Sequence, residues 1–538
     1  MRTHSPWRNE PFLVAMLAAA AGFLRLLILW LKPDGHLVMH IPDDAFYYLV
    51  PARNFAHMGR WTFDGVEPAT GFHLLWGYFL VVLYRLMPGL SFHAVFALAG
   101  SVQVLCLSLA ALLLSRTAVR LFGRGAGIGV AVVFLSATVL VQAGWLMESA
   151  FVILLAAALL DLLARTGLPG RGGVLPAALT LGWLLELSRS DAGLLPAALL
   201  LMLLVLWRRG SVSRTMPIAA ASVLAGACLG VATILLHTHV VSGHWVQASA
   251  QQKLFWSSVG GRSSLRSVAG TPLSVLQPLH YAVPHYSRNA AAVRLASAAG
   301  HVAGFAVLAM VVAGAALLAR RTSPLARALL VTLALLVAAY CVFYQHDGAL
   351  FDWYISNFAV GMAVISAAAA AWFLPRAPRC TLALAAALTC AGWVCSLVPN
   401  GPWQECMYRA GLYLHEHDLP AAQGAFNSGI VGFFAERQVT NLDGLVNDSI
   451  LPYAMHGQLG EYMAHRNIAY VFDSPFMLDD AVMQQRGGYP GGLRACLREE
   501  TDTFPDDPNN TWEGGHIHLY RFDLECLRAG RERAAAVR

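Results

Sequence analysis

Charge is scarce in this 538-residue chain. Asp, Glu, Lys and Arg together make 13% of it, about half the usual charged share of a soluble domain. Lysine is almost absent, with only Lys32 and Lys253. So little charge cannot solvate the whole surface of a chain that is 57% hydrophobic, which argues against a single soluble domain. Paired cysteine motifs are missing as well. The nine cysteines contain no CxxC and no metal-ligand spacing, and six lie in or beside apolar segments, where a small soft core residue is the simple reading. Cys406, Cys496 and Cys526 alone fall in the polar tail, which permits at most one disulfide among them. Nor is there a phosphate-binding loop, because GIVG at 429–432 lacks the spacing and the lysine. The net charge of +6 implies no nucleic-acid partner, since the arginines sit in short loops between apolar blocks.

Those blocks dominate what is present. They run over 11–31, 93–115, 126–143, 148–165, 174–188, 191–207, 215–237, 296–319, 326–344, 353–374 and 379–398, close to the roughly 17–25 residues a helix needs to cross a bilayer. The first follows Arg2 and Arg8 but lacks a small-residue cleavage site, so it is expected to remain as a helix. Five connecting loops carry Arg116/Arg120/Arg124, Arg165/Arg171, Arg208/Arg209/Arg214, Arg320/Arg321/Arg327 and Arg376/Arg379, with no acidic residue among them. The positive-inside rule places these loops and the N-terminus in the cytoplasm. The apolar stretch 71–90 would invert every basic loop from 116 to 214 if it crossed. It is therefore expected to lie on or dip into the outer face, within a loop spanning 32–92. The expectation is eleven spans over 1–398, with residues 399–538 outside as an α/β domain of short strands and helices.

Ionisable residues then gather at the outer edge. The short outer connections hold Glu148, Arg189, Asp191, His346, Asp347 and Asp352, and the first loop adds Asp43, Asp44 and His73. Glu148 or Asp191 alone reads equally as a helix cap. As a set, charged groups at one depth on one side point to a watery polar site. Lys253, amid HWVQASAQQKLFWSS, reads as a snorkelling interfacial lysine or as a point-charge clamp on a phosphate, with Arg262 and Arg266 as competing candidates.

The segment IPDDAFYYLVPARNFAHMGRWTFDGVEPATGFHLLW at 41–76 resembles the first periplasmic loop of GT-C glycosyltransferases. WLMESA at 145–150, LSRSDAG at 187–193, DWY at 352–354 and FNSGIVGFFAERQVTNLDGLVND at 426–448 extend the likeness over nearly the whole chain. Bacterial members similar to the mycobacterial arabinofuranosyltransferases are the nearest in kind. Two departures stand out: Ala69–Thr70–Gly71–Phe72–His73–Leu74 replaces Thr-Asn-Gly-Phe-His-Pro, and Ser190 replaces a proline. The resemblance implies a GT-C-like polytopic membrane protein in a bacterial inner membrane, with its site and tail facing the periplasm. It implies transfer, with inversion, from a polyprenyl-phosphate sugar donor to a glycan or glycolipid acceptor. Asp43 would act as general base, and Asp44 would orient the acceptor or bind a divalent cation such as Mg²⁺. Arg189, Lys253 and His346 are candidates for the donor phosphate. Tyr47, His73, Glu148, Asp191, Asp352, Trp353, Tyr354, Asn427 and Asp443 are candidates for substrate contacts, with Asn447 beside them. Tyr47, Tyr48, Trp61 and Trp353 are of a type to line a sugar pocket, but an interfacial aromatic belt is the better reading of them, as turn residues is of Asn427, Asp443 and Asn447. A transporter or flippase of lipid-linked sugars and an envelope-assembly protein without transferase activity are the competing classes, the first of them the stronger. A transporter would spread polar groups through the midplane, where only Asp161 and Glu186 approach that description.

Overall fold

The computed structural model describes residues 9–165, 174–259, 290–343, 352–399, 401, 403–490, 496–504, 516–523 and 525–526. Among them, seven helices are long and apolar enough to cross a membrane: Glu10–Trp30, Phe92–Phe122, Thr215–Ser242, Ala298–Ala319, Pro324–Cys341, Trp353–Phe373 and Pro378–Cys395. The chain is a polytopic α-helical membrane protein with a sheet-bearing C-terminal region. Three further expected spans are shorter helices, Ser149–Arg165, Val174–Ser188 and Leu194–Arg208. The expected span 126–143 is not one helix. It ends at Phe134, resumes for one turn at Ala137–Leu140 and then unwinds. The helix Pro378–Cys395 explains the break: at Gly392 its backbone comes so close that a Cβ would stand 2.4 Å from the Leu135 carbonyl oxygen. The stretch 71–90 forms a helix only over Leu74–Leu86, thirteen residues. At ~1.5 Å per residue that reaches about 20 Å, short of the ~30 Å hydrocarbon core.

Lipid gives helices no hydrophobic reason to associate, so close backbone contact and small residues do the work. The Ala-rich helix Ser356–Phe373 is buried over most of its length and forms the centre of the bundle. Val174–Ser188 and Thr215–Ser242 meet at a reciprocal glycine contact. A Cβ at Gly182 would lie 1.9 Å from the Val223 carbonyl oxygen, and one at Gly226 would lie 1.9 Å from that of Leu179.

The tail builds a five-stranded sheet from β1 (Ala422–Ala425), β2 (Val439–Asn441), β3 (Ile468–Asp473), β4 (Leu497–Phe504) and β5 (Ile517–Phe522), in the order β2-β1-β3-β5-β4. Strands β1, β2 and β3 are parallel, while β5 runs antiparallel to both β3 and β4. Cys496 and Cys526 form a disulfide bond, and Cys406 is buried and takes no part in it. In a parallel sheet, ligands gather beyond the carboxyl ends of the strands. Here those ends lead into Phe426–Asn427, Asp443–Leu445 and Met477, all of which face one cavity.

First-loop residues tie the tail to the helices. Asp448 accepts from the Thr70 backbone N–H at 2.9 Å and from its hydroxyl at 2.7 Å, and the same hydroxyl accepts from the Ala248 N–H at 3.1 Å. Threonine thus holds the loop at one of the places where the sequence departs from the GT-C pattern. Arg466 pairs with Glu67 at 2.9 Å, and Thr440 donates to Asp64 at 3.3 Å.

Candidate active site between the bundle and the tail

A cavity of about 490 Å³ lies between the helical bundle and the tail. Asp43, Asp44 and Lys253 form part of its wall on the helix side, and Asn427, Asp443 and Arg486 part of its wall on the tail side. Trp145, Trp256, Trp353 and Trp403 line it as well. The aspartate pair sits at the first turn of a chain segment that continues into the helix Phe46–Met58. Asp43 accepts from the backbone N–H of Ile430 at 2.7 Å and from that of Gly429 at 3.3 Å. Burial pushes its carboxyl up to about 7, the Ile430 N–H works against that rise, and Asp44 adds to it. Asp44 is also raised by burial, but the Lys253 charge holds it down. Among the described residues Asp44 accepts no hydrogen bond, so its carboxylate is the less committed of the two.

Behind the pair lies a charged network. Glu148 accepts from Tyr48 at 2.7 Å and from Arg189 at 2.8 Å, with the His73 ring 3.7 Å away. Arg189 also donates to Asp191 at 2.9 Å and stacks over Tyr354, 4.9 Å from the ring centre. Local backbone geometry presents Glu148. Gln103 accepts from the N–H groups of Gly144 and Leu146 and donates to the Met147 carbonyl. This holds Leu146 at a left-handed φ of 57°, a conformation that costs free energy for a non-glycine residue. Lys253 donates to the Tyr354 hydroxyl at 3.0 Å. Burial opposes its charge, but Tyr354 and Asp44 outweigh that and hold its pKa above the usual value.

Tyr47 bridges to the tail, its hydroxyl 2.8 Å from Asp443 and 3.2 Å from the Phe426 carbonyl. Asp443 is raised to about 7, chiefly by burial. Asn447 is buried and donates to the Asn441 carbonyl and the Tyr462 hydroxyl, inside the tail. Trp61 packs among Phe55, Phe72 and Tyr78, away from the cavity. His346, Arg262 and Arg266 lie outside the described residues, as does the side chain of Asp352. Asp161 pairs with Arg116, Arg120 and Arg165, and Glu186 is buried between helices.

The sequence reading weighed Tyr48 as a sugar-pocket residue but preferred an interfacial belt, and it did not find Trp145, Trp403, Trp256 or Arg486. Tyr48 carried a signal, since it follows Asp44 by one helical turn. Arg486 carried none, because its place depends on how the tail docks. Among the described residues, no group of three or more His, Cys, Asp or Glu side chains could hold a metal ion. The aspartate pair offers at most two such ligands, and Asp43 is already engaged by two N–H groups. The donor set does not fit a closed metal centre.

The fold, a helical membrane bundle with a mixed sheet in its C-terminal region, is shared with solved structures. No family model matches the sequence, and no curated protein matches it. The fold is similar to that of ArnT from Cupriavidus metallidurans bound to undecaprenyl phosphate, at 12% identity over 95% of this chain and 97% of that one, with a TM-score of 0.56. It is also similar to the Archaeoglobus fulgidus oligosaccharyltransferase tethered with an acceptor peptide, at 15% identity over 94% of this chain and 74% of that one, with a TM-score of 0.55.

Proposed function

We propose that this protein is a membrane glycosyltransferase that moves a sugar from a polyprenyl phosphate to a hydroxyl of a glycan or glycolipid of the cell envelope. One observation carries the reading: three carboxylates and a half-buried lysine share one tryptophan-lined cavity at the outer edge of the bundle, beneath the tail. The fold supports it, because the similar ArnT structure holds undecaprenyl phosphate. The bacterial inner membrane, with the tail in the periplasm, is part of the same proposal. The basic loops and the Cys496–Cys526 bond support that orientation, since disulfides persist on the oxidising side.

In the reaction, Asp43 takes the proton from the acceptor hydroxyl as its oxygen attacks the anomeric carbon. The bond from that carbon to the lipid phosphate breaks, the phosphate leaves with the electron pair from the opposite face, and the configuration inverts. A carboxyl poised near 7 is well matched to proton transfer at neutral pH. Asp44 orients the acceptor. Lys253 meets the charge that develops on the leaving phosphate, where a preorganised cation is worth most. Arg189, already shared between Glu148 and Asp191, holds the network and Tyr354 in place. Trp353, Asn427 and Asp443 line the space open to the substrates. Purified protein is tested with a panel of labelled polyprenyl-phosphate sugars and envelope extract as acceptor. Turnover with one donor is expected, and Asp43→Asn is expected to lower kcat by about 10²–10⁴-fold. A folded protein inactive with every donor would overturn the reading in favour of a transporter.

A further inference from the structure

Asp43 and Ile430 are 387 positions apart, yet a carboxylate oxygen of one lies 2.7 Å from the backbone nitrogen of the other. The approach depends on glycine at 429. A Cβ there would stand 2.4 Å from the Asp43 carbonyl oxygen and 2.8 Å from its Oδ1, distances that force something to move. The tail side of the contact is itself held. Asn441 donates to the Ser428 hydroxyl at 2.9 Å, and the Ser428 carbonyl accepts from the Gly432 N–H at 2.7 Å. One turn along from Asp43, Tyr47 reaches Asp443 on the next tail loop. The carboxylate is therefore seated from the tail, while the chain that carries it belongs to the bundle.

We infer that the tail segment 428–430 is part of the catalytic centre, with the backbone N–H groups of Gly429 and Ile430 as positioning contacts for the Asp43 carboxylate. This rests on the reading of Asp43 as general base. Two N–H groups fix the carboxylate in one orientation and favour its ionised form, opposing the burial that favours the protonated form. The Gly429 bond is the longer, at 3.3 Å, and a carboxylate oxygen has more than one lone pair, so Oδ2 keeps capacity to accept the acceptor's proton. The tail is thus more than a lid. Without it the base would be misdirected and protonated at neutral pH. The other charged or titratable groups facing Asp43 are Asp44 and Tyr47 on its own segment, Asp443 across the cavity, and Lys253 and Arg486 in the cavity wall. Removing the Ile430 N–H alone leaves all of these in place, so a shift in the pH profile isolates that contact, whereas a side chain at 429 also displaces Asp43.

The test is the pH dependence of kcat for the full-length protein, with the donor that gives turnover, in wild type, in Gly429→Ala, and with the Ile430 amide replaced by an ester through the corresponding α-hydroxy acid. The ester removes the Ile430 N–H, keeps the isoleucine side chain and adds no bulk toward Asp43. It carries the test alone should Gly429→Ala not fold. The acid limb of the profile is expected to move up by about one pH unit, which lowers kcat about tenfold at pH 6 and leaves it within about twofold at pH 9. A merely structural role would lower kcat equally at every pH. An active enzyme whose limb stays in place in the folded variants would overturn the inference alone. A wild type inactive with every donor would overturn the transferase reading and this inference with it.

Discussion

The two edges of the bundle handle charge in opposite ways. At the basic edge one carboxylate, Asp161, is surrounded by three guanidinium groups, with Arg116 at 2.7 Å, Arg165 at 2.5 Å and Arg120 at 3.4 Å. The arginines are partly exposed and the carboxylate is saturated. At the other edge Arg189 is 4% exposed and bound by two carboxylates, while Asp44 and Lys253 are left facing a cavity. A saturated cluster anchors helices. A cluster that turns an unspent carboxylate and a cation toward open space can meet a substrate.

Substitutions can break this comparison. The largest expected effect is on transfer: Lys253→Met lowers kcat/KM about 10²-fold, whereas Arg120→Met leaves it within about twofold, both measured on equal amounts of folded protein. Similar losses from the two would mean that the edges do not differ in function. Next comes stability. Arg189→Met leaves Glu148 buried without its cation and costs about 3 kcal/mol, read from thermal unfolding. Arg165→Met, with Arg116 and Arg120 still on Asp161, costs under about 1 kcal/mol. The smallest effect sharpens the picture of the cavity. Asp43 and Asp443 are both raised to about 7 in the fold, so between about 4 and 7 the folded state binds more protons than the unfolded chain. Stability therefore falls as pH rises through that window, while activity that needs an ionised Asp43 rises. A melting temperature that increases as pH drops from 7 to 5, and does so less in Asp43→Asn/Asp443→Asn, is the expected outcome. An unchanged slope in the double variant would assign the effect to other groups.

Much of the bundle was legible, because apolar length and arginine placement are one-dimensional signals. Seven expected spans appear as long apolar helices, while 71–90 yields a shorter one, as do the expected spans 174–188 and 191–207. The break at 135–136 was not legible, since it depends on the approach of Gly392 from a helix more than 250 residues away. Lys253 stood between snorkelling and clamping in the sequence, and its bond to Tyr354 is a matter of packing. In the tail, the alternation of strands and helices was readable. The order β2-β1-β3-β5-β4 was not, because pairing depends on which edges are free once the helices have packed.

The sequence by itself determined a multi-pass membrane protein, the charge asymmetry between its edges, and a short inventory of groups able to do chemistry. These follow from how each residue type partitions between water and hydrocarbon, a property each carries wherever it stands. Only the tertiary structure decided which of those groups meet. Asp43 with Ile430, Tyr47 with Asp443, and Arg189 with Glu148 are contacts across chain separations of 387, 396 and 41 residues. The first two come within hydrogen-bonding range only where the tail meets the bundle, and the third only where two helices of the bundle pack.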